Sequence, residues 1–516
     1  MSDLSSKLNF DLAWRRLKND SKNVTFCERP YQLQVFESNL QKWFSDIRTE
    51  VDAGYTPGTM KVINVPKPGN LIRTGNYLSL SDRLVYNACV GAIQEDIYAE
   101  LNWAQGTKDY SYQLSSDHCL PEWFKKSPYK CWKEFGTDSV DAAKDSSFVL
   151  ETDIASYYDG VHVRTLMSML NTCGADQEVK QLLSNCLSQW SSDHGRGIPQ
   201  GMSASHILAK LYLNGLDRNL ENRGYRHKRY NDDIRVFCKT REEARRAIVL
   251  IVERLRLNLG LNIQSAKTKI NASRDTIADL RRCTDIVESI QNKVREESTV
   301  VVPGVMQYDD IVLELPDEDV SRRAIQEAVD EYLLGGNHEF DKTLFHYLIH
   351  RLHDDRAVPY CMSLLRSRPQ ETRYCLDYLA RVDAIADQDD AIAEFVTGES
   401  CIHSYQVYEI LMWRADNSRI PPSDKLIHMV RDIVFNGWDI QEVLVGAAYR
   451  FLGVFGNQAD MDDLKNHSAR LNDKGTSEIV CAVKRMEKAK RNGFFGSLKG
   501  RDKVLDWTIE WVKQTA

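Results

Sequence analysis

The feature that most constrains this chain is a pair of adjacent aspartates, Asp232 and Asp233, at the tip of a predicted β-hairpin. Its flanks, 225–230 and 234–239, are rich in aromatic and β-branched residues, as strands are, and Asn231 adds turn chemistry. Such a turn presents both carboxylates outside the sheet, where they repel each other. A pair of this kind on an otherwise apolar hairpin indicates a cation between the two carboxylates.

A second acidic position lies far upstream, at the end of a predicted buried strand, 148–154. Asp153 lies where this strand turns toward a helix that begins near His162. An aspartate at a strand end is ordinarily a turn or capping residue. Together with Asp232 and Asp233, however, it gives three carboxylates that can bind two Mg²⁺ ions. Two such ions can activate an attacking hydroxyl and stabilise a pyrophosphate leaving group, so the sequence predicts nucleotidyl transfer.

Two further segments fit the same reaction. Residues 197–205, Gly-Ile-Pro-Gln-Gly-Met-Ser-Ala-Ser, predict a rigid loop that leads into a helix, and Gln200 offers an amide that can contact a nucleotide. Residues 65–73 predict a hairpin with Lys67 and Arg73 near its turn. These cations suit a triphosphate, which arginine can hold through two hydrogen bonds. A solvated hairpin face is the alternative for both cations.

Length and composition exclude several classes of protein. A chain of 516 residues is too long for one ordinary core, and 42% hydrophobic with 27% charged residues is typical of globular domains. No apolar run of about 18 residues predicts a membrane span, and no signal peptide is expected. The 12 cysteines are scattered singly, which indicates reduced thiols and a cytoplasmic protein. With a net charge of -7, any polyanion must meet a local basic groove.

The pattern of predicted elements changes along the chain. Strands and helices mix in residues 1–272, a connecting helix over 273–297 opens a junction that ends at 316, and residues 317–516 read as short amphipathic helices. Repeated helices without strands favour an α-solenoid of the HEAT or armadillo kind. No strict repeat is found, so an irregular helical bundle stays open.

In their order along the chain, these motifs resemble the fingers and palm of reverse transcriptases. Asp153 matches the first catalytic aspartate of that family, residues 230–233 its Tyr-x-Asp-Asp box, and residues 197–205 its Pro-Gln-Gly motif. Lys267 lies in the segment that matches the lysine-bearing motif after the box. The resemblance implies an α+β fold, with right-hand polymerase fingers and palm followed by an all-α, HEAT-like helical-repeat domain.

The resemblance also implies a set of site residues. The catalytic carboxylates would be those of Asp153, Asp232 and Asp233, which with Ile154 would hold two Mg²⁺ ions, Mn²⁺ being a substitute. Tyr158 falls five residues after Asp153, where the family places an aromatic steric gate against a ribose 2′-hydroxyl. The implied substrate is therefore a dNTP, and the residues expected to bind it are Lys67, Arg73, Tyr158, Gln200 and Lys267. A core aromatic behind the strand is the alternative for Tyr158.

A palm followed by a long helical region resembles the abortive-infection polymerases that bacteria use against phage. Those relatives build single-stranded DNA without a template, start it on a protein hydroxyl, usually of tyrosine, and form closed homo-oligomers. The resemblance therefore implies a protein-primed enzyme that is a trimer or hexamer. Two alternatives remain: a templated RNA-directed DNA polymerase of retron or group II intron descent, and an inactive palm that acts as a phage-sensing scaffold. The box has Asn231 where the more familiar retroelement enzymes carry a small apolar residue.

Two other patterns have weaker functional interpretations. His346, His350 and His353 have a helical spacing that could bind Zn²⁺, although a packed or solvent-facing helix is the simpler interpretation. A second group is aromatic and could form a stacking platform for single-stranded DNA, or else an aromatic-rich core of the fingers. Its members are Trp103, Trp123, Trp132, Tyr129 and the lysines at 125 and 126.

Overall fold

The structure of the chain is a computed structural model that describes residues 3–21, 30–69, 71–192, 194–302, 311–314, 318–336, 338–438 and 440–515. The chain divides into two units. The first consists of Met1–Ile63 and Thr74–Arg281, and the second of Asn64–Arg73 and Arg282–Ala516. The predicted domain limits at 272 and 316 stay predictions.

The first part of the chain alternates helices and strands, as the sequence predicts. The helices are α1 (Phe10–Ser21), α2 (Pro30–Glu37), α3 (Leu40–Gly54), α4 (Leu80–Ala92), α5 (Gln94–Leu101), α6 (Pro128–Lys144), α7 (Tyr157–Gly160), α8 (Val163–Thr172), α9 (Gln177–Trp190), α10 (Ser203–Asn222), α11 (Arg241–Arg254) and α12 (Ser273–Ser298). The strands are β1 (Lys61–Lys67), β2 (Leu71–Tyr77), β3 (Phe148–Ala155), β4 (Arg226–Tyr230), β5 (Asp233–Cys238), β6 (Asn262–Ile263) and β7 (Lys269–Ala272). The predicted hairpins at 65–73 and 225–239 and the long helix from 273 are confirmed.

Strand β3 lies in the middle of the main sheet. The strand order is β4-β5-β3-β6, β7 also pairs with β3, and β3 runs antiparallel to β5, β6 and β7. Val149, Leu150 and Ile154 are buried almost completely, in agreement with the buried strand that the sequence predicts. Its antiparallel register sets Asp153 directly opposite Asp233.

Helices α6 and α10 both pack against this sheet. Helix α10 buries residues around most of its circumference, from Ala204 to Leu220, as a helix inside a core does. Ala142 and Ala143 of α6 form a small core cluster with Val149 of β3 and Phe237 of β5. Because Val149 and Phe237 are cross-strand partners, the C-terminal end of α6 packs at the end of the sheet away from the aspartates.

The second unit is almost entirely helical. Beyond the short hairpin of β8 (Thr299–Val302) and β9 (Ile311–Glu314), its helices are α13 (Glu318–Val329), α14 (Lys342–Arg351), α15 (Val358–Ser367), α16 (Thr372–Arg381), α17 (Ile385–Thr397), α18 (Ser404–Asp416), α19 (Asp424–Phe435), α20 (Glu442–Phe455), α21 (Gln458–His467), α22 (Asp473–Ala482), α23 (Lys488–Leu498) and α24 (Lys503–Thr515). Each even-numbered helix from α14 to α24 packs on the next even-numbered one. Such a row is what stacked helix pairs produce, so the predicted helical architecture is confirmed. Its assignment to the HEAT kind stays a prediction.

Ten cysteines have side chains that the structure describes, and all ten are free. Among the described helices, none is long and apolar enough to cross a membrane. His346 of the proposed zinc pattern pairs with Glu371, with Nε2 and Oε2 2.6 Å apart, and no metal-binding group of three His, Cys, Asp or Glu residues occurs in the described ranges.

Candidate active site

The three predicted catalytic aspartates come together at one end of the β3–β5 pair. Asp153 near the end of β3 faces Asp233 at the start of β5, and paired residues of an antiparallel ladder project from the same face of the sheet. Asp232 lies in the turn just before β5, and its carbonyl oxygen accepts a hydrogen bond of 3.2 Å from the N–H of Ile154. The local sheet register therefore joins residues that lie about eighty positions apart in sequence.

The turn between β4 and β5 explains the unusual asparagine of the box. Tyr230 and Asp233 are paired, so Asn231 and Asp232 form a two-residue connection. Asn231 has a φ of 55°, a left-handed conformation that asparagine tolerates far better than most residues. Its Nδ2 donates to Asp232 Oδ1 at 2.9 Å, so the side chain also orients the Asp232 carboxylate.

Burial and charge repulsion raise the pKa values of two aspartates of the site. Burial, followed by the repulsion of Asp153, raises the pKa of Asp232 above its ordinary range. Burial together with Asp232 and Asp153 raises the pKa of Asp233 to about 6. Perturbed carboxylates that cluster in this way are typical of functional sites. They also mean that the site carries negative charge that the protein does not fully neutralise.

Lys267 supplies one cation to this group. Its Nζ donates to Asp153 Oδ2 at 2.6 Å, while its side chain remains 62% exposed. Two contacts hold the segment that carries it: the N–H of Gln264 donates to the carbonyl of Asp153 at 2.7 Å, and the hydroxyls of Thr268 and Thr152 lie 2.8 Å apart. Burial alone would lower the pKa of Lys267, but the bond to Asp153 outweighs it and raises that pKa.

A buried ion cluster supports the turn from beneath, and sequence reasoning missed it. The Arg229 guanidinium contacts the Asp217 carboxylate at 2.6 Å and Asp109 at 2.8 Å, and its Nη1 donates to the carbonyl of Asn231 at 2.9 Å. Lys210 binds the same oxygen of Asp109 at 2.6 Å. All four charged side chains are buried. Two acids and two bases thus compensate one another, and one member holds the catalytic turn by its backbone.

The aromatic residue proposed as the steric gate also has partners that the sequence did not reveal. Tyr158 is buried, and its hydroxyl shares a hydrogen bond with His206 Nδ1 and donates to Asn231 Oδ1 at 3.3 Å. The ring of Tyr112 stacks on His206, with centroids 3.8 Å apart and planes within 7°. Burial lowers the pKa of His206 to about 3, so the imidazole is neutral at physiological pH. Tyr158 is therefore tied to the catalytic turn and to a rigid aromatic stack.

The Pro-Gln-Gly loop is held close to Tyr158. The N–H of Ile198 donates to the carbonyl of Tyr158 at 3.1 Å, and the N–H of Gly197 donates to that of Val161 at 2.8 Å. Gly197 has a φ of 99°, which only glycine adopts readily. The N–H of Gln200 donates to Asn76 Oδ1 at 2.7 Å, so the backbone of Gln200 is fixed in place. A nucleotide contact by its side chain stays a prediction.

Lys67 and Arg73 belong to a different unit from the carboxylates. Lys67 ends β1 and Arg73 lies in β2, within the stretch Asn64–Arg73 that groups with the helical unit. In that unit the N–H of Asn64 lies 3.3 Å from Gln441 Oε1. Binding of a triphosphate by Lys67 and Arg73 stays a prediction.

The carboxylate oxygens of the three aspartates suit a divalent cation, although these side chains do not form a complete metal site by themselves. In the described part of the chain, no three His, Cys, Asp or Glu side chains are arranged as a site that could hold an ion by themselves. One oxygen of Asp153 is engaged by Lys267. The oxygen ligands of Asp153, Asp232 and Asp233 are nonetheless those that Mg²⁺ prefers, and the raised pKa values of Asp232 and Asp233 mark charge that a cation would neutralise.

Comparison with known proteins agrees with this geometry. Residues 65–305 match the family model described as reverse transcriptase (RNA-dependent DNA polymerase). Protein YkfC of Escherichia coli (strain K12) is 27% identical over 204 residues, which are 38% of this chain and 48% of that protein. The chain thus spans about half the length of this curated relative.

Solved structures of telomerase are also similar. Telomerase from Candida albicans, in complex with a fragment of telomeric RNA, is 11% identical with a TM-score of 0.32, covering 93% of this chain and 69% of that one. Apo telomerase from Candida tropicalis is 10% identical with a TM-score of 0.30, covering 91% and 74%. Residues 65–305 are thus similar to a reverse-transcriptase domain, and a largely helical region follows them.

Proposed function

We propose that this protein is a DNA polymerase that transfers nucleotides from dNTPs with the help of divalent metal ions. The observation that carries the proposal is the meeting of Asp153, Asp232 and Asp233 at one strand end, with the pKa of Asp233 raised to about 6. Mg²⁺ bound there, or Mn²⁺ in its place, would lower the pKa of the attacking hydroxyl and neutralise charge on the leaving pyrophosphate.

The other residues of the domain have distinct roles in this proposal. The three carboxylates and the main chain at Ile154 hold the metal. Lys267 contributes an ammonium beside Asp153 that can also contact substrate phosphate. Tyr158 blocks the 2′ position of the sugar and Gln200 contacts the nucleotide. Lys67 and Arg73 bind the triphosphate.

We further propose that synthesis is protein-primed and template-independent, and that it serves abortive infection. The support is architectural: a reverse-transcriptase domain is followed by a long row of packed helices, in the HEAT-like manner of the abortive-infection polymerases. The net charge of -7 is in keeping with an enzyme that grips no long duplex. Closed homo-oligomers, trimers or hexamers, and a DNA product attached to tyrosine belong to the same proposal.

One experiment separates this proposal from its alternatives. The purified chain is incubated with Mg²⁺ and each labelled dNTP, without nucleic acid, and then run on a denaturing protein gel. Label that migrates with the protein and is removed by DNase supports protein-primed, untemplated synthesis. Incorporation that requires added RNA template and primer would instead support a templated reverse transcriptase, the activity for which the matching family model is described.

The third alternative, an inactive palm used as a scaffold, predicts no incorporation in either condition by a folded protein. It would give no role to the three clustered carboxylates, although burial and their mutual repulsion raise the pKa of Asp232 and Asp233. Asp232→Asn and Asp233→Asn are the controls. Label that survives in these variants would refute the assignment of the site.

A further inference from the structure

The start of helix α6 exposes two aromatic rings to solvent. Tyr129 is 72% exposed and Trp132 is 44% exposed. The other tryptophans of the predicted platform are engaged elsewhere: Trp123 is buried beneath the Arg16 guanidinium, 3.8 Å from its ring, and Trp103 donates its indole N–H to Asn214 Oδ1 at 2.9 Å. The platform that the sequence suggested is therefore reduced to Tyr129 and Trp132.

The ring of Trp132 borders the turn between β4 and β5 directly. Trp132 packs edge-on against Tyr230 of the box, with centroids 4.9 Å apart and an angle of 88°. Tyr230 is the cross-strand partner of Asp233, which is in turn the partner of Asp153, so the three side chains project from one face of the sheet. A nucleic-acid strand stacked on Trp132 would be separated from the carboxylates only by the side chain of Tyr230.

The ring of Trp132 also packs against a buried neighbour. Phe135 is buried completely, and its ring lies 5.6 Å from that of Trp132 and 5.9 Å from that of Tyr230. The Tyr230 hydroxyl donates to the carbonyl of Pro128, the first residue of α6, at 3.2 Å. Little conformational entropy remains to be lost when a ligand stacks on Trp132.

The charged side chains around the two rings favour the binding of an anion. Four lysines lie within or just before the first two turns of the helix, at positions 125, 126, 130 and 133. Lys126 pairs with Glu134 at 2.6 Å, while Lys125, Lys130 and Lys133 are exposed. A local excess of positive charge on a chain with a net charge of -7 indicates a specific polyanionic ligand.

We propose that this surface, residues 129–133 with Lys125, binds a single strand of DNA beside the catalytic turn. Bases stack on the rings of Tyr129 and Trp132, and phosphates contact the lysines, as in sequence-tolerant binding of single strands. The inference deepens the proposed polymerase function, because a growing DNA strand is the ligand that must leave from this face.

The test is equilibrium binding of a fluorescent oligo(dT) of twenty nucleotides to the full chain, followed by anisotropy at low salt. Tyr129→Leu combined with Trp132→Leu is expected to weaken binding by about tenfold or more, because each stacked base contributes substantially to affinity. Trp103→Leu is the matched control, since it removes another partly exposed tryptophan of the same domain and is expected to change binding less than twofold. Lys130→Gln with Lys133→Gln is expected to reduce the slope of log Kd against log salt concentration by about 1.4.

Two results would overturn the proposal: no saturable binding by the unmodified protein, or equal affinity of the unmodified and the double aromatic variant. Circular dichroism and melting temperature show whether that variant is folded, and Trp132→Phe, which keeps a ring, is expected to retain most of the binding. The assay needs neither catalysis nor a dNTP. A failure of the polymerase proposal would thus leave this binding intact. If binding of an RNA oligomer but not of DNA depends on the two rings, the proposed DNA ligand is wrong.

Discussion

The ammonium of Lys267 lies 2.6 Å from the carboxylate of Asp153, across 114 residues of sequence. This bond places a 62% exposed cation against the acid group that the family resemblance puts first among the metal ligands. Lys267 can leave this position without a large change in its own solvation, because its side chain is mostly exposed, whereas that of Asp153 is only 11% exposed. We therefore expect Lys267 to move between the carboxylate and the substrate phosphates.

Replacing Lys267 by methionine should lower incorporation while leaving the fold intact. The loss of a charge-assisted phosphate contact is expected to reduce kcat/KM for the dNTP by about 10- to 100-fold. Steady-state incorporation at several dNTP concentrations measures it. Lys269→Met is the matched control, since the Nζ of Lys269 lies 3.6 Å from Glu151 Oε2 and so pairs with a different carboxylate. Equal losses in both variants would contradict a specific role of Lys267.

Asp233 makes the stability of the metal-free protein depend on pH. Its pKa is raised from 3.8 to about 6, so the folded state binds this proton more tightly than the unfolded chain. The resulting stability is fully present below about pH 4 and is lost as the pH rises through 6. In EDTA at pH 8, Asp233→Asn should therefore raise the free energy of unfolding by about 1–3 kcal/mol.

The higher free energy of unfolding of Asp233→Asn should vanish as the pH falls from 7 to 4, because protonated aspartate and asparagine both carry no charge. Thermal melts in EDTA across this range provide the measurement. Glu253→Gln, at an exposed position on α11, is the control and should show no such trend. A pH-independent difference for Asp233→Asn would contradict the raised pKa.

Sugar selection should depend on Tyr158 and on the residues that hold it. Tyr158→Ala is expected to reduce discrimination against ribonucleotides by about tenfold or more, because the ring would no longer block the 2′ position. His206→Phe keeps a ring against Tyr112 but loses the hydrogen bond to the tyrosine, so its effect should be about fivefold or less. The measurement is the ratio of kcat/KM for a dNTP to that for the matching NTP.

Tyr157→Phe is the matched control, because the hydroxyl of Tyr157 bonds to the carbonyl of Ala209 and not to the turn. It should leave the sugar ratio unchanged. An unaltered ratio in Tyr158→Ala would show that this side chain is a core aromatic and not a gate.

Arg229 should contribute strongly to the stability of the first unit. Its removal leaves Asp217 and Asp109 buried with less compensating charge, and breaking such a cluster costs about 3–5 kcal/mol. Burial would lower the pKa of Arg229, but the two carboxylates outweigh it and raise that pKa, so the guanidinium stays charged at any usable pH. We expect Arg229→Met to lower the melting temperature by about 6–15 °C.

Arg226→Met on the same strand is the control, since the Arg226–Asp145 pair is solvent-exposed at 3.1 Å and should contribute little. If Arg229→Met melts at the temperature of the unmodified protein, the cluster does not support the turn.

Close helix packing in the second unit gives a further prediction. A Cβ added at Gly453 of α20 would lie 2.6 Å from the carbonyl oxygen and 2.8 Å from the Cα of Ala482 in α22. These are backbone atoms, so the helices must separate, and Gly453→Ala should destabilise by about 1–3 kcal/mol. Gly496→Ala in α23 meets nothing within 4 Å and should be neutral or stabilising by up to about 1 kcal/mol. Urea unfolding of both variants distinguishes the two cases, and equal midpoints would contradict the close contact.

Much of the catalytic centre could be predicted from sequence, because its elements are local. The hairpin of β4 and β5 follows from strand-forming flanks and a two-residue turn, and Asp153 follows a buried apolar strand. The pairing of these strands was then implied by the order of the motifs. The positive φ of Asn231 gives a physical reason for the departure from the usual box, which the sequence alone left unexplained.

The partners of these residues could not be predicted, because side chains far apart in sequence meet only after the sheet and helices pack. Arg229 and Asp109 are separated by 120 residues, and no local pattern signals their contact. The only available sign was the presence of two charged residues, Lys210 and Asp217, among the apolar positions that α10 buries. His206 likewise looked like an ordinary residue of α10 until Tyr158 and Tyr112 were found against it.

By itself, then, the sequence determined the chemistry: three aspartates, a box, and a loop in an order that predicts a nucleotidyl-transfer site. Strand periodicity and turn composition act over a few residues, so they can be recognised without a fold. Only the tertiary structure decided which cations reach those aspartates and which aromatic rings remain in solvent. The sequence suggests the same role for Trp123 and Trp132. Packing, however, buries Trp123 beneath Arg16 and leaves Trp132 exposed beside Tyr230.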